Sequence, residues 1–580
     1  MPNVTELLAE MDYGPAPESV AAAQDWIAAA GRLGGAGAPV ALVSPATGAA
    51  WAEVGLADAG EIAAALTRAR AAQPGWAGRA DADRAEALRR AALALGAQSR
   101  LLTELETLGT GRALREIARV DLPAAEAALL AAARHTEAGA PLAPRGAICA
   151  TLAPAAPLLS LVETLAETLA AGETLVALCP PEAAPAALAL AQTLENAGLP
   201  EGALTVLPVA AAPVCPADAQ LSPPEGAARP ALIVLADADL DAAVEGVARA
   251  VWSGLGQLPT AFGRVLVAEA VAEALTARLT RRLATLRLGD PLDGTTDLGP
   301  LRSAEALEAL QSALEAAVAA GAALIEAEAP TLPAGAYARP ALLTGVAPAN
   351  PAFGRPLLGP VATLTTFRTP DEAVDLANNL AEGRAVSIWS ESLTTVLDLA
   401  TRVAARQVFI NEIGLVGLAA EEASPLETAD KALRPALAAA EKAASWSALS
   451  GADRAARLRG FGPAPLAEAP SGAAGIPAKG RMEIDLRAPF GVLALEAASL
   501  DQALAAVALG NRVIWASEAP EAREAAARLP AGVLTLLPAG TPSLGAPGIA
   551  ACLRLAPGLA GGALARALTR ARRITLPFGA

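Results

Sequence analysis

Thiols, one imidazole and scattered carboxylates are the groups in this chain that could do covalent or acid–base chemistry. The thiols are Cys149, Cys179, Cys215 and Cys552, and no two share Cys-x-x-Cys spacing. Scattered in this way they suggest neither a zinc site nor a disulfide framework, and the usage reads as that of a reducing cytoplasm. Cys149, Cys179 and Cys215 each read as a small buried apolar residue. His135 is the one histidine and cannot build a multi-histidine metal centre; its alanine-rich surroundings read as a helix surface. Thr260 offers a hydroxyl in a glycine-bearing stretch, but a hydroxyl nucleophile needs a base beside it and none is visible. Gly-x-Gly fragments such as Gly34-Gly35-Ala36-Gly37 read as loops and carry no phosphate-site signal.

The scaffold that must position such groups is large. At 580 residues the chain has room for several domains and an extensive core. Its composition is 54% hydrophobic, with alanine supplying much of that share. Apolar runs are interrupted, as in 158–178 by Glu163, Glu167 and Glu173, and none reaches the ~18 uninterrupted residues of a membrane span. The acidic start Met-Pro-Asn-Val-Thr-Glu lacks a basic n-region, so no signal peptide is expected. A net charge of −16 leaves no basic footprint for nucleic acid and is explained by solubility.

To about residue 120 the sequence reads mostly helical, with a turn at Ser44-Pro45-Ala46-Thr47-Gly48, a short strand at 51–54, and helices at 58–70 and 81–95. From 145, strands at 147–152, 174–178, 203–207 and 231–235 alternate with helices at 157–171, 182–197 and 241–252. Strands at 265–267, 361–367, 385–389 and 407–411 continue the pattern, with a helix at 270–286 and a loop at 288–300. Such alternation implies an α/β layer fold built on a parallel sheet. Residues 460–480 read as a linker.

The chain contains a repeat. Trp76, Ala82-Asp83-Arg84-Ala85 and Leu88-Arg89 recur at identical spacing as Trp446, Ala452-Asp453-Arg454-Ala455 and Leu458-Arg459. Leu199-Pro200-x-Gly202-x-Leu204-Thr205-x-Leu207-Pro208 likewise recurs as Leu529-Pro530-x-Gly532-x-Leu534-Thr535-x-Leu537-Pro538. Two blocks in the same order make the part from Trp446 a shortened copy of the first α/β module, with a period far too long for a solenoid.

Over almost its whole length the chain resembles the aldehyde dehydrogenase superfamily. The resemblance rests on several motifs in order: Ser44-Pro45-Ala46-Thr47-Gly48, Ala236-Asp237-Ala238-Asp239-Leu240-Asp241, Leu288-Gly289-Asp290-Pro291 with Asp297-Leu298-Gly299-Pro300, Gly359-Pro360-Val361, and Val408-Phe409-Ile410-Asn411. The repeated module, Met11-Asp12-Tyr13-Gly14-Pro15 near the start and the strand-like 573–580 are most similar to family 16, whose members carry a truncated extra module. The implied fold is a Rossmann-type domain, degenerate here, plus a catalytic-type α/β domain and that truncated module. We divide the chain into 1–235, 236–425, a helix and linker at 426–480, and the repeat at 481–580.

The family's chemistry uses a cysteine thiolate, hydride transfer to NAD and a glutamate-activated water. In the family loop Gly-Gln-x-Cys-x-Ala-Gly-Ser/Thr-Arg the cysteine matches Pro259, counted from Gly256-Gln257 and closed by Arg264. Proline offers neither a nucleophile nor the backbone N–H that would help hold an oxyanion. The oxyanion asparagine of Pro-Trp-Asn-Phe-Pro matches Ala155, and losing one such donor costs about 10²–10³ in rate. The general-base glutamate matches Pro224, with Glu225 one residue away. A ribose-binding lysine matches Cys179, and the glutamate of Glu-x-Phe-Gly-Pro, which holds the nicotinamide ribose, matches Pro356. No glycine lies between Pro208 and Pro224, so the strand–turn–helix that faces the pyrophosphate reads as deleted.

These losses together imply a pseudoenzyme with no catalytic or metal site and no expected cofactor. It would be a cytoplasmic structural or regulatory subunit, pairing with itself or with an active aldehyde dehydrogenase paralogue through the family's hairpin arm and sheet extension. One alternative is an NAD-dependent aldehyde dehydrogenase whose site is completed by Glu225 or by a thiol of the C-terminal module or a partner. A small-molecule binding module using the vestigial cleft is a third.

Overall fold

The computed structural model describes residues 21–31, 33–137, 144–211, 213, 215–222, 230–258, 261–327, 332–379, 383–414, 421–422, 433–443, 445–449, 451–458, 481–489, 492–496, 498–537, 551–554 and 569–577. Strands β1 (Leu33–Gly34), β2 (Pro39–Val43) and β3 (Ala50–Gly55) form a small sheet in the order β1-β3-β2. Gly48, at φ 70°, closes the turn between β2 and β3 by donating its N–H to Ser44 O at 2.8 Å. The sequence shows one strand here, because β2 is exposed at four of its five positions and carries no alternating apolar signal.

Strands β4 (Ala147–Thr151), β5 (Thr174–Cys179), β6 (Leu204–Pro208) and β7 (Ala219–Ser222) lie parallel in the order β7-β4-β5-β6. The helix Ala59–Ala77 starts at a reciprocal cap in which Asp58 and Glu61 bond each other's backbone N–H. It buries Ile62, Ala65, Leu66 and Ala69 against one face of this sheet. Helices Asp81–Ala97, Leu122–Glu137 and Pro157–Ala170 join the larger core cluster that includes the alternate sheet residues Ile148, Ala150, Leu175 and Ala177. His135 is exposed on Leu122–Glu137.

A larger sheet follows. Its strands are β8 (Ala231–Val234), β9 (Arg264–Ala268), β10 (Ala323–Glu326), β11 (Ala341–Thr344), β12 (Val361–Phe367), β13 (Gly383–Trp389) and β14 (Ala405–Ile410), in the order β10-β11-β12-β9-β8-β13-β14. All are parallel except β10. Every residue of β8 and β9 is buried, the near-continuous apolar pattern of a parallel sheet covered on both faces. We grouped 231–235 with the first unit in sequence, but β8 pairs with β9 and β13, so the change of sheet falls between Ser222 and Ala231. The helix expected over 241–252 is α-helical only at Leu240–Val247 and widens into a π-turn at Ala248–Trp252. Apolar spacing alone does not separate those two windings. The short β15 (Glu421–Glu422) returns to pair antiparallel with β7.

The C-terminal strands are β16 (Arg481–Pro489), β17 (Val492–Glu496), β18 (Arg512–Ala516), β19 (Leu534–Leu537), β20 (Ala551–Arg554) and β21 (Thr569–Pro577). Four of them form a parallel sheet in the order β20-β17-β18-β19, the order of β7-β4-β5-β6. The two modules share anchors as well. Trp76 Nε1 donates to Leu169 O at 3.0 Å, and Trp446 Nε1 to Val507 O at 2.9 Å. Arg84 reaches Ala170 O at 3.4 Å, and Arg454 reaches Ala508 O at 2.7 Å. Strands β16 and β21 leave this module: they pair antiparallel over nine positions, and β21 lies parallel to β14. The large sheet thereby reaches nine strands.

Candidate functional site

The loop after Trp252 is held in an unusual backbone path. Gly254, Leu255 and Gly256 all have positive φ, at 61°, 55° and 62°. Leu255 is a non-glycine residue in that region, and burial to 2% exposure holds it there. Gly256 is required by contact: a Cβ would lie 1.9 Å from Gly359 O. The loop is therefore pressed backbone to backbone onto 356–360. Gln257 follows, buried, its Oε1 accepting the Arg302 N–H at 3.3 Å. Arg264 closes the segment structurally: its guanidinium lies over the Phe353 ring at 5.2 Å and donates to Ala377 O at 3.2 Å. Burial pulls its pKa down to about 10.

A cleft of about 570 Å³ opens beside this loop. Pro154 and Ala155 line it from the turn after β4, Pro356, Leu357 and Leu358 from the loop before β12, and Ala306, Ala309 and Leu310 from the helix Ala304–Ala319. Its polar lining is Gln257, Arg302, Ser303 and Glu305. Glu305 is held below its ordinary value by its own backbone N–H and the Ser303 hydroxyl. The described lining contains no thiol and no imidazole.

Two of the sequence-derived positions, Ala155 and Pro356, thus meet in one place. Cys179 does not join them: it is fully buried at the end of β5, its Sγ 3.7 Å from Leu207 O. Burial pushes its thiol up, so it is neutral and inert. Pro259, Thr260, Pro224 and Glu225 lie outside the described residues.

One buried charge cluster supports both sides of the cleft, and the sequence reading missed it. Arg112, 1% exposed, donates to Asp121 and, at 2.9 Å, to Glu116. Glu116 in turn accepts from the Gly254 backbone N–H, tying the cluster to the glycine loop. Glu106 accepts the N–H of Leu158 at 3.2 Å, where the helix Pro157–Ala170 begins behind Ala155. Burial raises Glu106 to about 8, against the opposing pull of Arg112. A signal was available: Glu106 sits four residues after Leu102 and three before Gly109, on the apolar face of its helix.

The loop 288–300 ties the first module to the unit of the larger sheet. Leu114 N–H donates to Pro291 O at 2.8 Å, Arg115 pairs with Asp297 at 2.9 Å, and a Cβ on Gly299 would lie 2.1 Å from Gly111 O. Asn411, at the end of β14, ties that strand to its neighbour β13, accepting from Ser390 N–H at 2.9 Å and donating to Ser390 O at 2.8 Å.

The residues present do not fit a dinucleotide as the resemblance would place it. Cys179 has no cation for the ribose, and Pro356 has no carboxylate. The described residues between β6 and β7 form no helix whose N-terminus could face a pyrophosphate.

The sequence profile described as the aldehyde dehydrogenase family matches residues 34–217 and 224–423. The chain is similar to the betaine aldehyde dehydrogenase of Cereibacter sphaeroides, 30% identical over 421 residues, covering 65% of this chain and 87% of the relative. It is 30% identical over 462 residues to the aminoacetaldehyde dehydrogenase of Pseudomonas aeruginosa, covering 71% of this chain and 92% of the relative. Among solved structures it resembles the indole-3-acetaldehyde dehydrogenase of P. syringae in complex with NAD+ and IAA. That likeness has a TM-score of 0.64 and 25% identity and covers 70% of this chain and 95% of the other.

Proposed function

The chain belongs to the aldehyde dehydrogenase family, and from that premise we propose that it is a catalytically silent member, of the family 16 type. It works as a structural or regulatory subunit beside itself or an active aldehyde dehydrogenase. The observation that carries this reading is the convergence of Ala155 and Pro356 on one cleft. Each replaces a polar group that the resemblance assigns to the reaction. The nucleophile position, Pro259, completes the argument from sequence. At Ala155, the position the resemblance gives to the oxyanion asparagine, the described lining offers a methyl group and no side-chain donor.

The test is NADH production over an aldehyde panel, with NAD titration by calorimetry; both are expected to be silent. Pro259→Cys is expected to be silent too, because a restored thiol would still face Ala155 in place of an oxyanion donor. Saturable turnover by either protein overturns the reading. The paired subunit is tested by co-purification from the native host, where a strictly monomeric protein would remove that part of the proposal.

A second reading, NAD-dependent aldehyde oxidation, draws support from the names of the relatives, each an aldehyde dehydrogenase at 30% identity. It requires Glu225, or a thiol from the C-terminal module or a partner, to complete the site. The same assay separates the two.

A further inference from the structure

The connection from β6 to β7 carries two thiols into contact. It leaves β6 beside the end of β5, where Val209 N–H donates to Cys179 O at 2.9 Å, and it ends at the start of β4, where Asp218 N–H donates to Ala147 O at 3.0 Å. Of the described residues between these points, Val209 and Cys215 join the apolar cluster on the sheet face that the helix Ala59–Ala77 also covers. The far end of the connection is fixed: Asp218 Oδ2 accepts Ala147 N–H at 2.7 Å, Arg70 pairs with Asp218 at 3.2 Å, and Cys215 N–H donates to Gln220 Oε1 at 2.9 Å. Between these fixed points Cys215 Sγ lies 2.7 Å from Cys149 Sγ of β4, though the residues are 66 apart in sequence. A disulfide needs an approach of only about 0.7 Å more.

We propose that Cys149 and Cys215 form a peroxide-responsive dithiol that closes into a disulfide and staples the crossover to β4. Cys215 reacts first, because it keeps 8% exposure while Cys149 has none. The hydrogen bond from Cys149 holds the Cys215 thiol below its ordinary value, and burial opposes this. The Cys215 thiolate attacks hydrogen peroxide, breaking the O–O bond; one oxygen stays as the sulfenic acid and the other leaves as water. Cys149 sulfur then attacks the Cys215 sulfur, forming the S–S bond and releasing the second oxygen as water with the Cys149 proton. Two thiols are oxidised by two electrons and one peroxide is reduced to two waters.

The test uses the full chain, reduced, exposed to hydrogen peroxide, then alkylated in denaturant and mapped by mass spectrometry. The expected product links the peptides of Cys149 and Cys215, is about 2 Da lighter than the reduced pair and reverts with dithiothreitol. Two of the four thiols should be lost to titration. The oxidised protein should melt several degrees higher, since the bond closes a long loop. Cys149→Ala should trap a Cys215 sulfenic acid that reacts with dimedone. Cys215→Ser, a change in the crossover and not in the sheet, should abolish both products. Four titratable thiols after peroxide, a bond from Cys215 to Cys179 or Cys552, or a link between chains would each overturn the proposal.

Discussion

The first α/β module and the one built on β17 to β20 share one construction and differ in what surrounds it. Both run four parallel strands in the same order. In both, a tryptophan indole and an arginine guanidinium satisfy carbonyls at the C-terminal end of a helix, at Leu169 and Ala170 or at Val507 and Ala508. Leu169 O and Val507 O also accept the backbone N–H of Gly172 and Gly510 past the helix end, so each indole adds a second donor there while the arginine reaches the next carbonyl. The difference lies in charge. In the first module Arg84 also pairs with Asp81 at 2.5 Å; the corresponding position in the other is Gly451, and Arg454 donates instead to Leu449 O. Only the first module carries the Glu106, Arg112, Glu116 and Asp121 cluster that backs the cleft. The helix-closing anchors recur in both modules, while the cluster around Arg112 belongs to the first alone.

The indoles give the largest expected effect. Trp76→Ala and Trp446→Ala should each cost about 3–5 kcal/mol, because each ring is at most 2% exposed. Urea unfolding followed by hydrogen exchange in each module would measure this. A loss under about 1 kcal/mol at Trp446 would break the equivalence of the two anchors. The arginines come next. Arg454→Met strands two backbone carbonyls and should cost about 1–3 kcal/mol. Arg84→Met removes one long hydrogen bond and frees a carboxylate that water can reach, and should cost less. The reverse order would mean that the ion pair, and not the carbonyl caps, holds the first module.

Glu106 gives a slope in place of a loss. Its folded value is raised from 4.5 to about 8. The neutral acid therefore stabilises the fold fully below the ordinary carboxyl range, and that contribution is lost as pH rises through about 8. Glu106→Gln should flatten the decline in melting temperature between about pH 5 and 9. An unchanged decline would place its origin elsewhere.

The alternation of strands and helices made the layer fold legible, and the motifs in order made the family legible. Ala155 and Pro356 could be named from motifs, but their meeting in one cleft depends on two loops, one from each sheet, which no local pattern encodes. The membership of β8 in the second sheet was hidden for the same reason: its four apolar residues suit either sheet. The Cys149 and Cys215 contact was illegible because the thiols lie 66 residues apart and no periodic pattern links the connection between β6 and β7 to β4. The charge cluster was overlooked because carboxylates are expected at helix surfaces, and Glu106 breaks that expectation.

The pairing of β21 with β14 has a consequence for synthesis. β14 ends at Ile410 and β21 begins at Thr569, so the edge of the large sheet is translated well before the strand that covers it. At ribosomal rates of about 5–20 residues per second, that edge stands open for roughly 10–30 s. An open parallel edge is a template for any extended chain nearby. Chains released from ribosomes stalled inside the repeated module would carry that edge uncovered by β21 and are expected to aggregate more than the full chain.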